Sequence, residues 1–596
     1  MKRNQVNEKD KWDLTLLFAD DTDWKNALDT AQSAVSDLPA LRDTMTSSAD
    51  ELCRTVRTIV EVGEQINRVY TYANLRYSED TSDNNARRLI GQAQNLLTAF
   101  SEASSFFDTT LLTLSDSDFE RFLTESDELR EYEITLRETF RYKPHRLSLS
   151  EEKLMAAFGK ERETAENTYQ TLTDSDLSFG TVKDENGNDT ELTNTNYIMF
   201  MTSNAPEVRR SAFKTLYKTF KQFGNTIASL YAGAIEAEKV CAKVRNYGSA
   251  LEASLFSDHM TVQIYDNIID SIGSSLDELF RYYRLKKKVF GQDELHIYDI
   301  YRPMIGGCEH KYTYPEAVDE VLSAVSIFGD EYVDILRDGY KKRWVDVYPT
   351  ENKAGGAFSS GCPTSEPYIM LNFLGLDEDV STLAHESGHS MHSYFTRHNN
   401  PIQYADYTIF VAEVPSTVNE LILAYYQLEH TDDRDRKLSI LNNLMELFKG
   451  TIYRQAMFAE FEKKTHELSE QGEILTEEVI SREYYKVNEK YFGGEVVLDE
   501  EIAYEWMRVP HFYYNFYVYK YAVGLASACY IVDRIRHGEE GALDDYFAFL
   551  RLGSTKDPIE SLKVAGVDIT RPEVFENAAK TFGSFIDMFE ELYNKE

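Results

Sequence analysis

Residues 383–392 read LAHESGHSMH, and this stretch restricts the possible fold more than any other part of the chain. An α-helix turns about 100° per residue, so side chains four apart stand one above the other on the same face. On one helix His385 and His389 therefore aim at a common point, with Glu386 one step round the axis. Two imidazoles so placed can hold one Zn²⁺ through nitrogens at about 2.0–2.1 Å, and the glutamate can take a proton from a neighbouring water. A hydrolytic zinc centre needs a third protein ligand and a fourth position left open. A second element must therefore be packed against this helix.

One long version of the motif places glycine three residues after the second histidine and a further histidine three beyond. Those positions hold His392 and Phe395 here, so the third ligand comes from elsewhere. Downstream, IFVAEVPSTVNELILAYY predicts a helix with Pro415 in its first turn, Glu413 at its mouth and Glu420 two turns on along the same side. Glu413 is the expected third ligand, with Asp406 and Glu420 as competing carboxylates. A two-histidine, one-carboxylate set leaves the metal a net charge of about +1 and strong Lewis acidity. His392 lies on roughly the same face as His389 and reads as a supporting core residue rather than a ligand.

The remaining pattern is mostly helical. Apolar residues recur every third or fourth position over 50–78 and 84–115, with the polar break SEDTSDN between them, which predicts an antiparallel helix pair. SLSEEKLMAAF predicts another helix, with Ser150 as its cap and Glu151 and Glu152 as first-turn acids. The rhythm breaks at LSFGTVKDENGNDTELT, where Asn186-Gly187 between short β-prone runs predicts a hairpin with both turn residues at positive φ. A lobe boundary is placed there, dividing the chain into 1–195 and 196–596. A loop-rich interval covers 299–315.

The glycine-rich stretch AGGAFSSGCPTSEPYIMLNFLGL contains two short runs, GAFSS and YIMLNF, expected to pair as a small sheet just before the motif helix. An edge strand there can hold an extended peptide through main-chain groups, making Gly355, Gly356, Ala357 and Phe358 candidate substrate-binding residues. A buried hairpin that only supports the helix is the other reading.

Seven aromatic residues crowd into the eleven positions 511–521, in RVPHFYYNFYVYKYAVGLASA, beside His511. That exceeds what one helix face needs for packing. Amide hydrolysis generates an oxyanion, which tyrosine hydroxyls or a histidine N–H can stabilise. Ala522, Gly524 and Ala526 then suggest close packing further on.

Composition narrows the alternatives. At 596 residues the chain has ample core for more than one lobe. Its net charge of −38, from 63 basic and 101 acidic residues, repels phosphate backbones, so nucleic acid is not an expected partner. Five scattered cysteines (Cys53, Cys241, Cys308, Cys362, Cys529) form no CxxC pair, which argues against a disulfide framework and against cysteine-bound zinc. The N-terminus MKRNQVNEKDKWDL has no apolar signal core, and no membrane-spanning run is found. A cytoplasmic location without membrane association is expected.

Taken together, KWDLTLLF, PHRLSLSEEKLMAAF, VRNYGSALEASL, IYDIYRP, NKAGGAFSSG with PYIMLNF, LAHESGHSMH, FVAEVPSTVNE, IYRQAMFAEFE and VPHFYYNFYVYKYAVG resemble the zinc oligopeptidases of family M3, in particular the oligoendopeptidase F group. The resemblance runs nearly end to end. It implies a mainly α, neurolysin-like zincin fold with two helical lobes around a deep channel that admits short peptides. It implies one Zn²⁺ per chain on His385, His389 and Glu413, with Glu386 as the catalytic carboxylate. His511, Tyr514 and Tyr521 resemble the histidine and tyrosines on the family's substrate side, while the block is shorter here and leaves Tyr517 and Tyr519 unaligned. The implied activity is internal cleavage of short, unstructured peptides. A zinc carboxypeptidase or dipeptidyl carboxypeptidase is the alternative, and a scaffold with structural zinc is disfavoured because no cysteine stands at ligand spacing. Oligomeric state is left open.

Overall fold

The computed structural model describes residues 1–306 and 310–595. Helices dominate, and the strands are few and short. They include α1 (Ala49–Glu79), α2 (Asn84–Ser104), β1 (Thr181–Lys183), β2 (Asp189–Glu191), α3 (Gly224–Val244), β3 (Val345–Asp346), β4 (Phe358–Ser360), β5 (Tyr368–Met370), α4 (Asp377–Asn399), α5 (Ile409–His430), α6 (Arg454–Glu470) and α7 (Tyr519–Arg536). The chain forms two compact units, each discontinuous in sequence: Met1–Arg146 with Glu309–Gln427 and Ile531–Gly566, and Leu147–Cys308 with Leu428–Tyr530 and Val567–Glu596.

In the first unit α1 and α2 form the expected helix pair. Ser48 caps α1 by accepting from the Glu51 N–H, and Asp83 caps α2 by accepting from the Asn85 N–H, so the polar break both ends one helix and starts the next. The second helix stops at Ser104, earlier than its apolar periodicity suggests, and a separate short helix, Phe106–Leu111, continues the pattern. Trp12, Trp24 and Leu28 share a core with this pair, and the Trp24 indole N–H donates to the carbonyl of Val69 on α1 at 2.8 Å.

The two runs expected to form a sheet do so: β4 pairs antiparallel with β5, placing Phe358 opposite Met370. A third strand, β3, too short to read from sequence, adds in parallel on the other side of β5. The middle strand Tyr368-Ile369-Met370 is wholly buried, which matches its unbroken apolar character. Strand β4 lies at one edge of the sheet, with β3 at the other. The loop leading into β4 is held by Lys353, whose buried ammonium pairs with Asp346 at 2.7 Å and donates to the Tyr348 and Leu371 carbonyls. Asn372 donates to the carbonyls of Ala354 and Gly356.

In the second unit the hairpin β1–β2 forms around Asn186-Gly187, but only Gly187 takes positive φ (79°). Asp184 holds the remaining turn by accepting from the backbone N–H groups of Asn186 and Asn188, so Asn186 has no need of the left-handed region. The helix Leu149–Ala157 is capped by Ser148, not Ser150: Ser148 accepts from the Glu151 N–H, and Glu151 accepts from the Ser148 N–H. That closes a regular capping box two residues earlier than expected.

Among the described residues no helix is long and apolar enough to cross a membrane. Cys53, Cys362 and Cys529 are buried thiols and Cys241 is a half-buried one, and Cys308 lies outside the described residues, as does part of the 299–315 interval.

Candidate metal centre

Helix α4 carries the motif. Asp379 starts it by accepting from the Leu374 and Leu376 N–H groups at 2.8 Å, and three acids in the first turn favour the positive end of the helix dipole. Its partner α5 crosses it at Gly388, where a Cβ would stand 2.5 Å from the Pro415 carbonyl oxygen and 2.6 Å from the Ser416 Cα. Only a residue without a side chain permits that approach. The contact is fastened by the Asn419 amide, which donates to the Ala384 carbonyl at 3.0 Å and accepts from the Tyr332 hydroxyl at 3.0 Å. Ser387 donates to the Leu383 carbonyl, and its hydroxyl lies 2.7 Å from that of Tyr340.

The start of α5 differs from the sequence expectation. The helix begins at Ile409, so Pro415 stands inside it and Glu413 lies in its second turn rather than at its mouth. The close packing at Gly388 holds the helix in place where proline removes a backbone donor. Ser416, one residue on, donates to the Glu413 carbonyl at 2.8 Å and lies 3.2 Å from its carboxylate.

This crossing brings three donor atoms together. His385 Nε2 and His389 Nε2 are 3.2 Å apart, and Glu413 Oε2 lies 3.4 Å from each. Tetrahedral ligands at zinc bond lengths are separated by about 3.3 Å, so the triangle fits such an ion. Among the described residues these three form the one group of His, Cys, Asp and Glu side chains able to hold a metal. The competing acids do other things. Glu420 Oε2 lies 3.4 Å from His385 Nδ1, the far side of the ring, and Asp406 accepts from the backbone N–H of its neighbour Tyr407.

The electrostatics also ask for a cation. Burial pulls the His385 imidazole down, but Glu413 and Glu420 outweigh it and push it up to about 10. Contacts with His385 and His389 hold the Glu413 carboxyl far below the usual carboxylate range. The Glu413 side chain is 57 % exposed, so the centre is open on that side. Glu386 is the opposite case: it is 6 % exposed, its Oε2 has no hydrogen-bond partner among the described residues, and burial pushes its carboxyl up. The backbone N–H of Ser359 on the edge strand β4 opposes that rise. The Ser359 hydroxyl lies 2.9 Å from that of Ser390 on α4, tying strand to motif helix.

His392 is no part of the donor group. It is buried, stacked on Tyr407 with ring centres 3.7 Å apart, and burial with the nearby His389 pushes it down to about 3.

In the second unit the aromatic block is not one helix face. Residues Glu500–Arg508 and Pro510–Tyr513 are 3₁₀ turns and α7 begins only at Tyr519, with Asn515 (φ 50°) and Phe516 (φ 60°) left-handed between them. This bend gathers His511, Tyr514, Tyr517 and Tyr521. The Tyr521 hydroxyl is 3.3 Å from His511 Nε2, and the His511 ring lies 5.4 Å from that of Tyr514 and 6.5 Å from that of Tyr517. Burial pushes the His511 imidazole down, favouring its neutral form. Of the two unaligned tyrosines, Tyr517 joins the group and Tyr519 is buried against Tyr265, facing Asp258.

A mainly helical fold with an HExxH helix, a carboxylate delivered by the following helix and an adjoining edge strand defines a metallopeptidase. The family model described as "Peptidase family M3" matches residues 199–581, and that described as "Oligopeptidase F" matches residues 110–179. The chain belongs to peptidase family M3 and is a metalloendopeptidase of that family. It is 40 % identical over 593 residues to "Oligopeptidase PepF" of Bacillus subtilis (strain 168), spanning 100 % of this chain and 88 % of that protein. A solved structure from Chlamydophila abortus superposes with a TM-score of 0.95 at 33 % identity, covering 99 % of both chains. The structure of oligoendopeptidase-F from Enterococcus faecium gives 0.74 at 33 % identity, covering 97 % of this chain and 100 % of its own.

Proposed function

We propose that the protein is a zinc oligoendopeptidase that hydrolyses internal bonds of short, unstructured peptides, with one Zn²⁺ per chain on His385, His389 and Glu413. The observation that carries this reading is the triangle of two Nε2 atoms and one Oε2 with edges of 3.2–3.4 Å, open on the Glu413 side and flanked by a buried carboxyl. The names of the relatives, an oligopeptidase and an oligoendopeptidase, support the substrate class. Bound there, zinc supplies Lewis acidity that polarises a carbonyl oxygen and acidifies water.

Glu386 is the general base. Its raised pKa suits both halves of the task, taking a proton from the attacking water and returning it to the leaving amine. Glu420 orients the His385 ring and fixes which nitrogen faces the metal. The segment Gly355, Gly356, Ala357 and Phe358, leading into edge strand β4, holds the substrate backbone in extended form. His511, Tyr514 and Tyr521 supply the donors for the tetrahedral oxyanion. Residues 196–596 form the catalytic portion in this reading, and 1–195 an N-terminal helical lobe. The acidic chain is expected to act in the cytoplasm without nucleic-acid or membrane partners.

The test is incubation with an unbiased mixture of peptides of graded length, with and without a chelator, read by mass spectrometry. Internal cleavage that stops with chelator, returns with zinc and includes a C-terminally amidated octapeptide is expected. Cleavage confined to the last one or two residues of free C-termini overturns the endopeptidase reading in favour of a zinc carboxypeptidase or dipeptidyl carboxypeptidase.

A further inference from the structure

Helix α6 holds a carboxylic acid that none of the chemistry above uses. Glu462 is wholly buried, and burial pushes its carboxyl up to about 8. Its Oε2 has no partner among the described residues, while its Oε1 accepts one hydrogen bond, from the backbone N–H of Phe516 at 2.7 Å. An acid buried with half its hydrogen-bonding capacity unmet is costly to retain, and glutamine or a hydrocarbon would pack with less penalty. The position of its one partner suggests what the acid does.

Phe516 and Asn515 are consecutive non-glycine residues in the left-handed region, a conformation that side chains oppose. Such a turn persists only where its surroundings over-determine it. Here three contacts do so. Glu462 takes the Phe516 N–H; the Ser254 hydroxyl donates to the Asn515 carbonyl at 2.6 Å; and the Phe516 ring is buried against His466 at 4.3 Å and edge-on to Tyr265. His466 is itself fixed, one ring nitrogen lying 2.8 Å from the Glu462 carbonyl oxygen and the other 2.8 Å from Glu238. His511 and Tyr514 precede the turn, while Tyr517 and Tyr521 follow it. The 3.3 Å approach of the Tyr521 hydroxyl to His511 Nε2 therefore depends on the chain reversing through these two residues.

We propose that Glu462 is a positioning residue: with Ser254 it clamps the left-handed Asn515–Phe516 turn, and the turn sets His511, Tyr514, Tyr517 and Tyr521 in one array. This rests on the reading of His511 and the tyrosines as oxyanion donors. The clamp touches neither metal ligands nor substrate, so its loss misplaces groups needed in the transition state while leaving zinc in place.

The test uses the zinc-loaded full chain and an internally quenched octapeptide. Glu462→Leu removes the acceptor and is expected to lower kcat about a hundred-fold, the effect of an ångström-scale misplacement, with KM within about two-fold and zinc stoichiometric. Glu462→Gln keeps an oxygen for the Phe516 N–H and is expected to retain kcat within about three-fold. A merely structural role does not produce that split between kcat and KM together with rescue by glutamine. Glu462→Leu at the parent kcat, or Glu462→Gln as damaged as Glu462→Leu, overturns the proposal. If Glu462→Leu does not fold, Ser254→Ala decides: a drop of about ten-fold in kcat at unchanged KM supports the clamp, and parent kcat overturns it. Tyr521→Phe is measured alongside. If it and Tyr514→Phe both turn over at the parent rate, the oxyanion reading fails and the clamp with it; if either is crippled while Glu462→Leu is not, only the clamp fails.

Discussion

Replacing Gly388 with alanine tests the geometry on which the metal centre depends. An added Cβ meets the Pro415 oxygen at 2.5 Å, the Ser416 Cα at 2.6 Å and the Pro415 carbonyl carbon at 2.8 Å, all of them backbone atoms with no rotamer to give way. Restoring an ordinary carbon–carbon contact requires α4 and α5 to part by roughly 1 Å. Glu413 lies on α5 two residues before Pro415, and metal–ligand distances tolerate only about 0.2 Å. The strain of an overpacked contact is about 1–3 kcal/mol, which, expressed at the metal, weakens zinc binding by roughly ten- to a hundred-fold. The assay is competition for zinc against a chromophoric chelator, with the thermal melt recorded alongside. Gly91→Ala on α2, where the new Cβ meets nothing within 4 Å, is the control and is expected to bind zinc like the parent. If Gly388→Ala also binds zinc like the parent and melts unchanged, α5 is not held where the packing argument requires.

Three further expectations use different readouts. Glu420→Gln is expected to weaken zinc affinity by about ten- to a hundred-fold with Glu413 intact, as loss of a ring-orienting carboxylate does; unchanged affinity removes Glu420 from that role. Tyr521→Phe is expected to lower kcat by about a hundred- to a thousand-fold with stoichiometric zinc, and parent turnover by both this variant and Tyr514→Phe removes the tyrosines from the oxyanion site. Glu462 is held at about 8 in the folded protein against an ordinary 4.5, so the unfolded chain gives up that proton first and stability falls as pH rises from 4.5 toward 8. The melting temperature of Glu462→Gln relative to the parent should therefore rise between pH 5.5 and pH 7.5, and a constant difference contradicts the assignment.

How much of this could be read from sequence depended on how local each feature is. His385, Glu386 and His389 were legible because an i, i+4 spacing on a helix fixes direction without reference to the rest of the fold. For the proposed third ligand the sequence leaves three carboxylates, Glu413 first among them, and its periodicity puts Glu413 and Glu420 on one side of their helix, from which both reach His385. Which of them meets Nε2 and which Nδ1 follows from the depth at which α5 packs on α4, set by the contact of Gly388 with Pro415 and Ser416. The proline itself misled: it marks a first turn by local preference, and tertiary packing retains it inside the helix instead. The edge strand was legible, but the burial of Glu386 beside it was not. The aromatic block announced itself by composition alone. Its division into an array and a core residue, Tyr519, turns on a left-handed bend at asparagine and phenylalanine, residues that give no glycine signal. Its clamp, Glu462, lies 54 residues away in sequence.

The most direct measurement is peptide cleavage by Glu386→Gln, made together with its zinc content. The substitution preserves size and leaves His385, His389 and Glu413 untouched, so one zinc per chain with the parent's affinity is expected, while hydrolysis of an octapeptide falls by at least about a hundred-fold with the loss of the general base. Cleavage at the parent rate by a zinc-loaded Glu386→Gln protein contradicts the proposed chemistry at its centre.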